Sequence, residues 1–150
     1  MTQKLHWVSV VAIGAALSMC ANGALAGDHG KACSNSSLEG VYGIQMSGTR
    51  PASPGGPTEA VIGVVVRHYD GRGGGTQVDN VKGAISGYVP DRFGTGTYQV
   101  NDDCTVVVNF QPAPGVLIEE RLVIVDKGRE LRSFTVLPTT LMVTSVGIKM

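Results

Sequence analysis

Short β-type segments separated by glycine- and proline-rich turns constrain the fold of this chain most strongly. The clearest pair lies at 95–100 and 105–110, where polar and β-branched residues alternate on both sides of Asn101-Asp102-Asp103, a pattern typical of a hairpin. No segment shows an extended helical period. The turns fall at 101–103 and at six other places. The turn segments are 50–57, 70–75, 90–93, 101–103, 112–115, 127–128 and 138–140.

These turns divide residues 38–150 into eight strand segments. Consecutive strands that are joined by short turns pair as antiparallel neighbours. Eight twisting, glycine-rich strands close most naturally into an up-and-down barrel, because closure removes the exposed sheet edges. The sequence therefore predicts an all-β, eight-stranded antiparallel barrel, and a two-sheet sandwich is the alternative.

The N-terminus has the pattern of a secretory signal peptide. Lys4 precedes an apolar stretch at 7–17, and Ala24-Leu25-Ala26 offers the small residues that signal peptidase requires. We expect cleavage after Ala26 and export to the periplasm or the extracellular space. The predicted organisation is a signal peptide at 1–26, a polar arm at 27–37 and a barrel domain at 38–150.

Cleavage would leave two cysteines, Cys33 and Cys104, in an oxidising compartment. A disulfide between them is the expected pairing. It would close a loop of about 70 residues and stabilise the fold by on the order of 4 kcal/mol. Because Lys4 is the only charge removed, the processed chain carries 11 basic and 12 acidic residues. That balance argues against nucleic acid or an anionic membrane as a partner.

The sequence does not have the features of a membrane-spanning protein after processing. Later segments are too short or too polar for a membrane helix. A lipid-facing barrel needs aromatic girdles, whereas this chain has four Tyr and three Phe, scattered along the sequence, and its sole Trp lies in the signal peptide. The alternating face Thr95, Thr97, Gln99 and Asn101 is also too polar for lipid.

Three motifs resemble a group of secreted bacterial single-domain proteins of unassigned function. They are Cys33-Ser-Asn-Ser-Ser-Leu-x-Gly-x-Tyr-Gly, Asp70-Gly-x-Gly, and Gly96-Thr-Tyr-x-Val-x-x-Asp-Cys104-Thr. The resemblance covers nearly all of the processed chain and implies a calycin-like or allene-oxide-cyclase-like barrel with a Cys33–Cys104 bridge, but no activity. Leu38-x-Gly40-x-Tyr42 also resembles the Gly-x-Trp opening of lipocalins, with tyrosine in place of tryptophan.

The processed N-terminus is a candidate metal site. Cleavage after Ala26 would leave Gly27-Asp28-His29 with a free α-amine and histidine in third place. The amine, two amide nitrogens and the imidazole could then surround Cu(II) or Ni(II) in a square plane, which suits these metals. The alternative, which the sequence favours, is a polar tail in which the histidine is third by chance.

The barrel lumen is the candidate ligand site, because eight-stranded barrels either fill with side chains or hold one small ligand. Both faces of the segments at 59–69 and 116–126 are largely apolar, so periodicity leaves open which face points inward. Glu120, or the pair Glu119 and Arg121, would be a polar anchor if it were inside. The favoured interpretation places these charges at strand ends or on the outer wall. The candidate ligand-binding residues are Tyr42, His68, Tyr98, Glu120 and Arg121.

The favoured function is therefore a non-enzymatic, exported barrel that binds a small apolar or amphipathic ligand. No nucleophile motif, phosphate loop or calcium loop is complete in the sequence, and no catalytic residue is assigned. A cyclase- or isomerase-type barrel enzyme that uses Glu120, His68 or Tyr98 is one alternative. A structural or protein-interaction domain with a filled core is the other. The sequence does not predict an oligomeric state.

Overall fold

The computed structural model describes residues 32–150, and these residues form eight strands and two short 3₁₀ turns. The 3₁₀ turns lie at Asn35–Leu38 and Asp126–Gly128. The strands are β1 (Gly40–Pro51), β2 (Thr58–Tyr69), β3 (Gly74–Gly83), β4 (Gly87–Val100), β5 (Thr105–Ala113), β6 (Val116–Val125), β7 (Glu130–Leu137) and β8 (Met142–Lys149).

Each strand pairs antiparallel with the next one, and β8 pairs with β1 to close the barrel. The predicted fold class, strand number and up-and-down order are confirmed. Side chains alternate between the interior and the solvent along each strand, so that Val61, Val65 and Tyr69 of β2 are buried while Val64 and Val66 are exposed. This alternation follows from the period of two of a pleated strand. Of the helical segments within residues 32–150, none is long and apolar enough to cross a bilayer.

The predicted turn at 90–93 is wrong. The chain turns earlier, at 84–86, and residues 90–93 lie inside β4. The register between β3 and β4 shifts at this place, and Asp91 adopts a positive φ of 47°, as in a β-bulge. Since the bulge shifts the alternation by one residue, Val89 and Arg92 both face the interior. Pro90 indicated an irregularity in the sequence but not that it is a bulge.

One end of the barrel is closed by the N-terminal segment. The Cys33–Cys104 disulfide is present, with 5.0 Å between the two Cα atoms, so the predicted pairing is confirmed. The first 3₁₀ turn lies over this end and inserts Leu38, which is fully buried. The described part of the predicted polar arm is therefore ordered: the Ser37 hydroxyl accepts a hydrogen bond from the Ser34 backbone N–H at 3.1 Å.

Large side chains fill the interior next to this closed end. Tyr69 packs edge-to-face against both Tyr42 and Tyr98, with ring centroids 5.7 and 5.0 Å apart. The Tyr42 hydroxyl donates a 2.6 Å hydrogen bond to the Gly128 carbonyl. Burial is the largest cause that raises the pKa of Tyr42, to about 12. The same core cluster includes Phe110, Leu122, Ile124 and Leu131.

Candidate functional site in the open half of the lumen

The opposite half of the barrel contains a cavity that opens to solvent. Its volume is about 520 Å³, which is within the range of small-molecule sites. The loops β1–β2, β3–β4, β5–β6 and β7–β8 surround its mouth. One part of its lining is apolar and consists of side chains of moderate size from five strands and the β7–β8 loop. These residues are Met46, Val61, Val81, Ile118, Leu141 and Val143.

An ion pair between Arg67 of β2 and Glu120 of β6 crosses the lumen and forms the floor of the cavity. The Arg67 Nη1 and Nη2 atoms donate to the two carboxylate oxygens of Glu120 at 2.8 and 3.1 Å. Arg67 is 5% exposed. Burial alone would lower the pKa of Arg67, but the nearby charge of Glu120 reverses the shift, and the net pKa is raised above its ordinary value.

All five N–H groups of Arg67 are used within the protein. Besides the two bonds to Glu120, Nε and Nη2 donate to the Gln77 side-chain oxygen at 2.9 and 2.7 Å, and Nη1 donates to the Tyr69 hydroxyl at 3.2 Å. Gln77 is close because it is the direct cross-strand partner of Arg67 in the β2–β3 register. The guanidinium is therefore satisfied without a ligand.

Two glycines of β4 make room for the Phe110 ring, which packs against this guanidinium. The Arg67 Cζ atom lies 4.8 Å from the centroid of the Phe110 ring, a distance at which a cation and an aromatic face attract each other. A Cβ atom at Gly94 or Gly96 would lie 2.6 Å from that ring, so neither position can carry a side chain while Phe110 stays in place.

The polar network continues from the floor along the cavity wall. The Gln77 amide donates to Asp79 at 3.0 Å, and Asp79 accepts two hydrogen bonds from Arg92, at 2.8 and 3.1 Å. Asp79 and Arg92 are direct cross-strand partners. Paired charges and bidentate geometry reduce the cost of burying these groups. The wall thus carries a continuous series of five side chains from Glu120 to Arg92.

A third acidic residue, Glu59, lies at the mouth. Its carboxylate accepts hydrogen bonds from the Ser86 hydroxyl at 2.6 Å, the Ser86 and Ile85 backbone N–H groups at 2.8 and 2.7 Å, and Arg50 Nε at 2.9 Å. These bonds, led by the Ser86 hydroxyl, lower the pKa of Glu59 to about 2. Glu59 therefore fixes the β3–β4 turn at the rim of the cavity.

The structure brings one of the five candidate ligand-binding residues to the cavity. Glu120 lines it, so the favoured placement of this charge outside the lumen is wrong. Tyr42 and Tyr98 are inside the barrel but in the filled half. His68 and Arg121 point outward, and Arg121 pairs with Glu119 on the outer surface at 2.9 Å, as the favoured placement of that pair expected. His68 and Arg121 therefore do not line the cavity.

Sequence reasoning missed most of the polar lining. Arg67 and Glu59 interrupt an otherwise apolar face of β2 at alternate positions, and Gln77 and Asp79 do the same on β3. This shared period of two was a usable signal, because it places all four side chains on one side of the sheet. The position of Arg92 could not be found in this way, since the bulge in β4 changes the phase.

The predicted metal site at Gly27-Asp28-His29 lies outside the described residues and stays a prediction. Within residues 32–150, no group of three or more His, Cys, Asp or Glu side chains is arranged to hold a metal ion.

The fold and this site together define a class: a closed, eight-stranded antiparallel barrel that is filled at one end and open at the other. Comparison of the chain with protein-family models, with curated proteins and with solved structures found no match.

Proposed function

We propose that this protein is an exported binding protein that holds one small amphipathic molecule in the open half of its barrel. The observation that carries the proposal is the cavity of about 520 Å³, which has an apolar lining on one part and a hydrogen-bonded polar wall on the other. Binding sites for small molecules combine a mostly apolar surface with a few placed polar groups in this way.

The lining also supports an orientation for the ligand. The apolar body would contact the part of the wall formed by Val61, Val81 and Val143, which pack against one another as a small apolar cluster. Arg50 and Arg92 line the cavity near its mouth, and neither uses its Nη1 group in a hydrogen bond to the described residues. A ligand with a hydrogen-bond acceptor or an anionic group at its outer end would match these donors.

The hydrogen bonding at the floor favours a binding role over an enzymatic one. A general acid or base must be able to exchange a proton with a bound substrate. Here Glu120 is held by a guanidinium whose donors are all occupied, and Tyr98 and His68, the other two residues considered for catalysis, do not reach the cavity. The other alternative, a structural or protein-interaction domain with a filled core, fits only the closed half of the barrel.

Binding of two probes, laurate and dodecanol, would test the proposal by calorimetry. We expect both to bind with a stoichiometry of one, and laurate to bind more tightly because its carboxylate can accept from the free arginine donors. Val61→Phe places a larger ring in the cavity and should weaken both by at least about tenfold. Ile62→Phe, one residue away on the outer face of β2, is the matched control and should leave the affinity unchanged.

Native mass spectrometry of protein purified from the periplasm would show whether a small molecule accompanies the chain. A bound mass present in the wild type and in Ile62→Phe, but lost in Val61→Phe, would support the proposal. Equal laurate affinity in the two variants, with both folded by circular dichroism, would overturn it.

A further inference from the structure

The outer surface of the barrel is apolar on one side. A row of outward residues crosses five adjacent strands, since Ile148 of β8 is opposite Gly43 of β1, Gly43 is opposite Val66 of β2, and Val66 is opposite Val78 of β3. Phe93 of β4 continues the row next to Val78. Val66, Phe93 and Ile148 are 51, 62 and 54% exposed. We call this surface the apolar wall; it consists of Val64, Val66, Val78, Phe93, Val146 and Ile148.

The apolar wall contains no charged residue. Along the outward positions of β8, β1, β2 and β3, Lys82 is the one Lys, Arg, Asp or Glu, and it lies at the end of β3 near the cavity mouth. The outward surface of β6 and β7 is different, because Glu119, Arg121, Glu130 and Arg132 form ion pairs there. Apolar residues such as Phe134 are exposed on β6 and β7 as well, but there they lie among charged side chains, whereas those of the apolar wall do not.

The area of the apolar wall is close to the apolar share of one side of a protein–protein interface. Its six side chains expose on the order of 500 Å² of apolar surface, which is at the upper limit of what monomeric soluble proteins show in one patch. A stable interface buries about 800 Å² on each partner. The polar neighbours Gln45, Asn80 and Asp91, which lie within the same surface groove, would supply part of the remainder as a rim.

We infer that the apolar wall is the contact surface between two copies of this chain, related by a two-fold axis. A two-fold interface places the same patch against itself, so any charge near its centre would meet a like charge. The centre of the wall around Val66 carries no charge, and Asp91, the one carboxylate that the described residues place in the groove, lies at the rim and accepts a hydrogen bond from Asn80 at 3.2 Å, which fits this requirement. A partner with a strongly charged surface would find no complementary charge on the wall.

The chain's own N-terminal arm is a less suitable occupant. The described chain begins beside Cys104, in the turn between β4 and β5, on the side of the barrel opposite the β8–β1 contact. If cleavage follows Ala26, residues 27–31 precede the described segment and extend over at most about 17 Å. That is too short to cross the closed end and cover the wall.

Sedimentation velocity of the exported, processed protein would test the inference. We expect the wild type to be a dimer that dissociates on dilution. Val66→Glu buries an unpaired charge at the centre of the interface and should weaken association by at least about thirtyfold. Thr97→Glu introduces the same charge on an exposed outward position of β4, away from the wall, and should not change association. Circular dichroism and laurate binding would show that each variant is folded.

Mixing Val66→Glu with Val66→Lys distinguishes a second copy from every other occupant. Only a wall that packs against itself brings the two new charges to one interface, so the mixture should form mixed dimers while each variant alone stays monomeric. A wild type that is monomeric at about 100 µM, a trimer, or a dimer that Val66→Glu leaves intact would each overturn the inference.

Discussion

The two halves of the barrel interior are built from the same eight strands but differ in what the inward residues are. On β2 the inward series begins with Tyr69 at the closed end, passes through Arg67, and continues with Val65, Gly63 and Val61 towards the mouth. Aromatic side chains fill one half together with leucines and valines, whereas no aromatic side chain of residues 32–150 lines the other half. Strand number fixes the diameter of a barrel, so side-chain volume at each level decides whether the lumen is full.

The Arg67–Glu120 pair lies at the boundary between the two halves. Below it the core excludes water and is tied by a disulfide and by tyrosine hydroxyls bonded to backbone carbonyls. Above it, carboxylates are bonded to arginines and to the backbone of the β3–β4 turn. The comparison implies that the closed half supplies most of the stability and that the open half is free to serve binding.

Removal of the disulfide should have the largest effect on stability and little effect on the cavity. Cys33→Ser combined with Cys104→Ser is expected to lower the free energy of unfolding by about 4 kcal/mol, because the unfolded chain regains the entropy of a long loop. Urea denaturation would measure the loss, and reduction of the wild type by dithiothreitol is the control. Loss of laurate binding while the fold is retained would show that the two halves are not independent.

Disruption of the ion pair at the boundary should have the second-largest effect on stability. Glu120→Leu leaves the guanidinium of Arg67 buried and unpaired, and we expect a loss of about 3 kcal/mol. The double variant Arg67→Leu with Glu120→Leu should recover much of this, because no isolated charge remains in the interior. Glu119→Leu, which breaks the outer pair with Arg121, should change stability by less than about 1 kcal/mol. Equal losses in Glu120→Leu and in the double variant would contradict this interpretation.

The sequence was sufficient for the fold because turn chemistry and period-2 alternation are local signals. The turn after Val100 and the closed strand order followed from them, whereas the disulfide partners Cys33 and Cys104 followed from the count of cysteines left after cleavage. The turn at 84–86 was misplaced because Pro90 suggested a connection, whereas the structure accommodates it in a bulge of β4.

The candidate site was harder to predict for a different physical reason. On β2 and β6 both faces are apolar, so the side that points inward depends on closure of the whole barrel and not on either strand alone. Once the inward face of β2 is known, Glu59 and Arg67 can be assigned to the lumen. The contact between Arg67 and Glu120 is a contact across the lumen, and no local pattern encodes a pair that is separated by half of the barrel.

A valine-to-alanine substitution should lower the free energy of unfolding more in the filled half than in the open half. Val106 is 1% exposed in the filled half, and Val143 lines the cavity. Val106→Ala loses apolar burial and leaves a new void, and should cost about 2 kcal/mol. Val143→Ala enlarges a space that already exists, and should cost about 1 kcal/mol. Thermal and urea denaturation would measure both. Equal costs would mean that the open half is as tightly packed as the closed half.

Acid should destabilise both ends of the barrel, because each end contains a carboxylate whose pKa is lowered in the folded state. The pKa of Glu59 at the mouth is lowered to about 2, chiefly by the Ser86 hydroxyl. The pKa of Asp70 at the closed end is also lowered, chiefly by the backbone N–H groups of Arg72 and Gly74. A group with a depressed pKa in the folded state stabilises the protein above its unfolded pKa, and that stabilisation is lost as pH falls towards the folded value.

For Glu59 the loss should therefore occur between about pH 4.5 and pH 2. The melting temperature of Glu59→Gln should be lower than that of the wild type at neutral pH and should converge with it in this acid window. Asp70→Asn should behave in the same way. If only Asp70→Asn converged, the acid-sensitive carboxylates would lie at the closed end alone, and the Glu59 bonds at the rim would contribute nothing to stability.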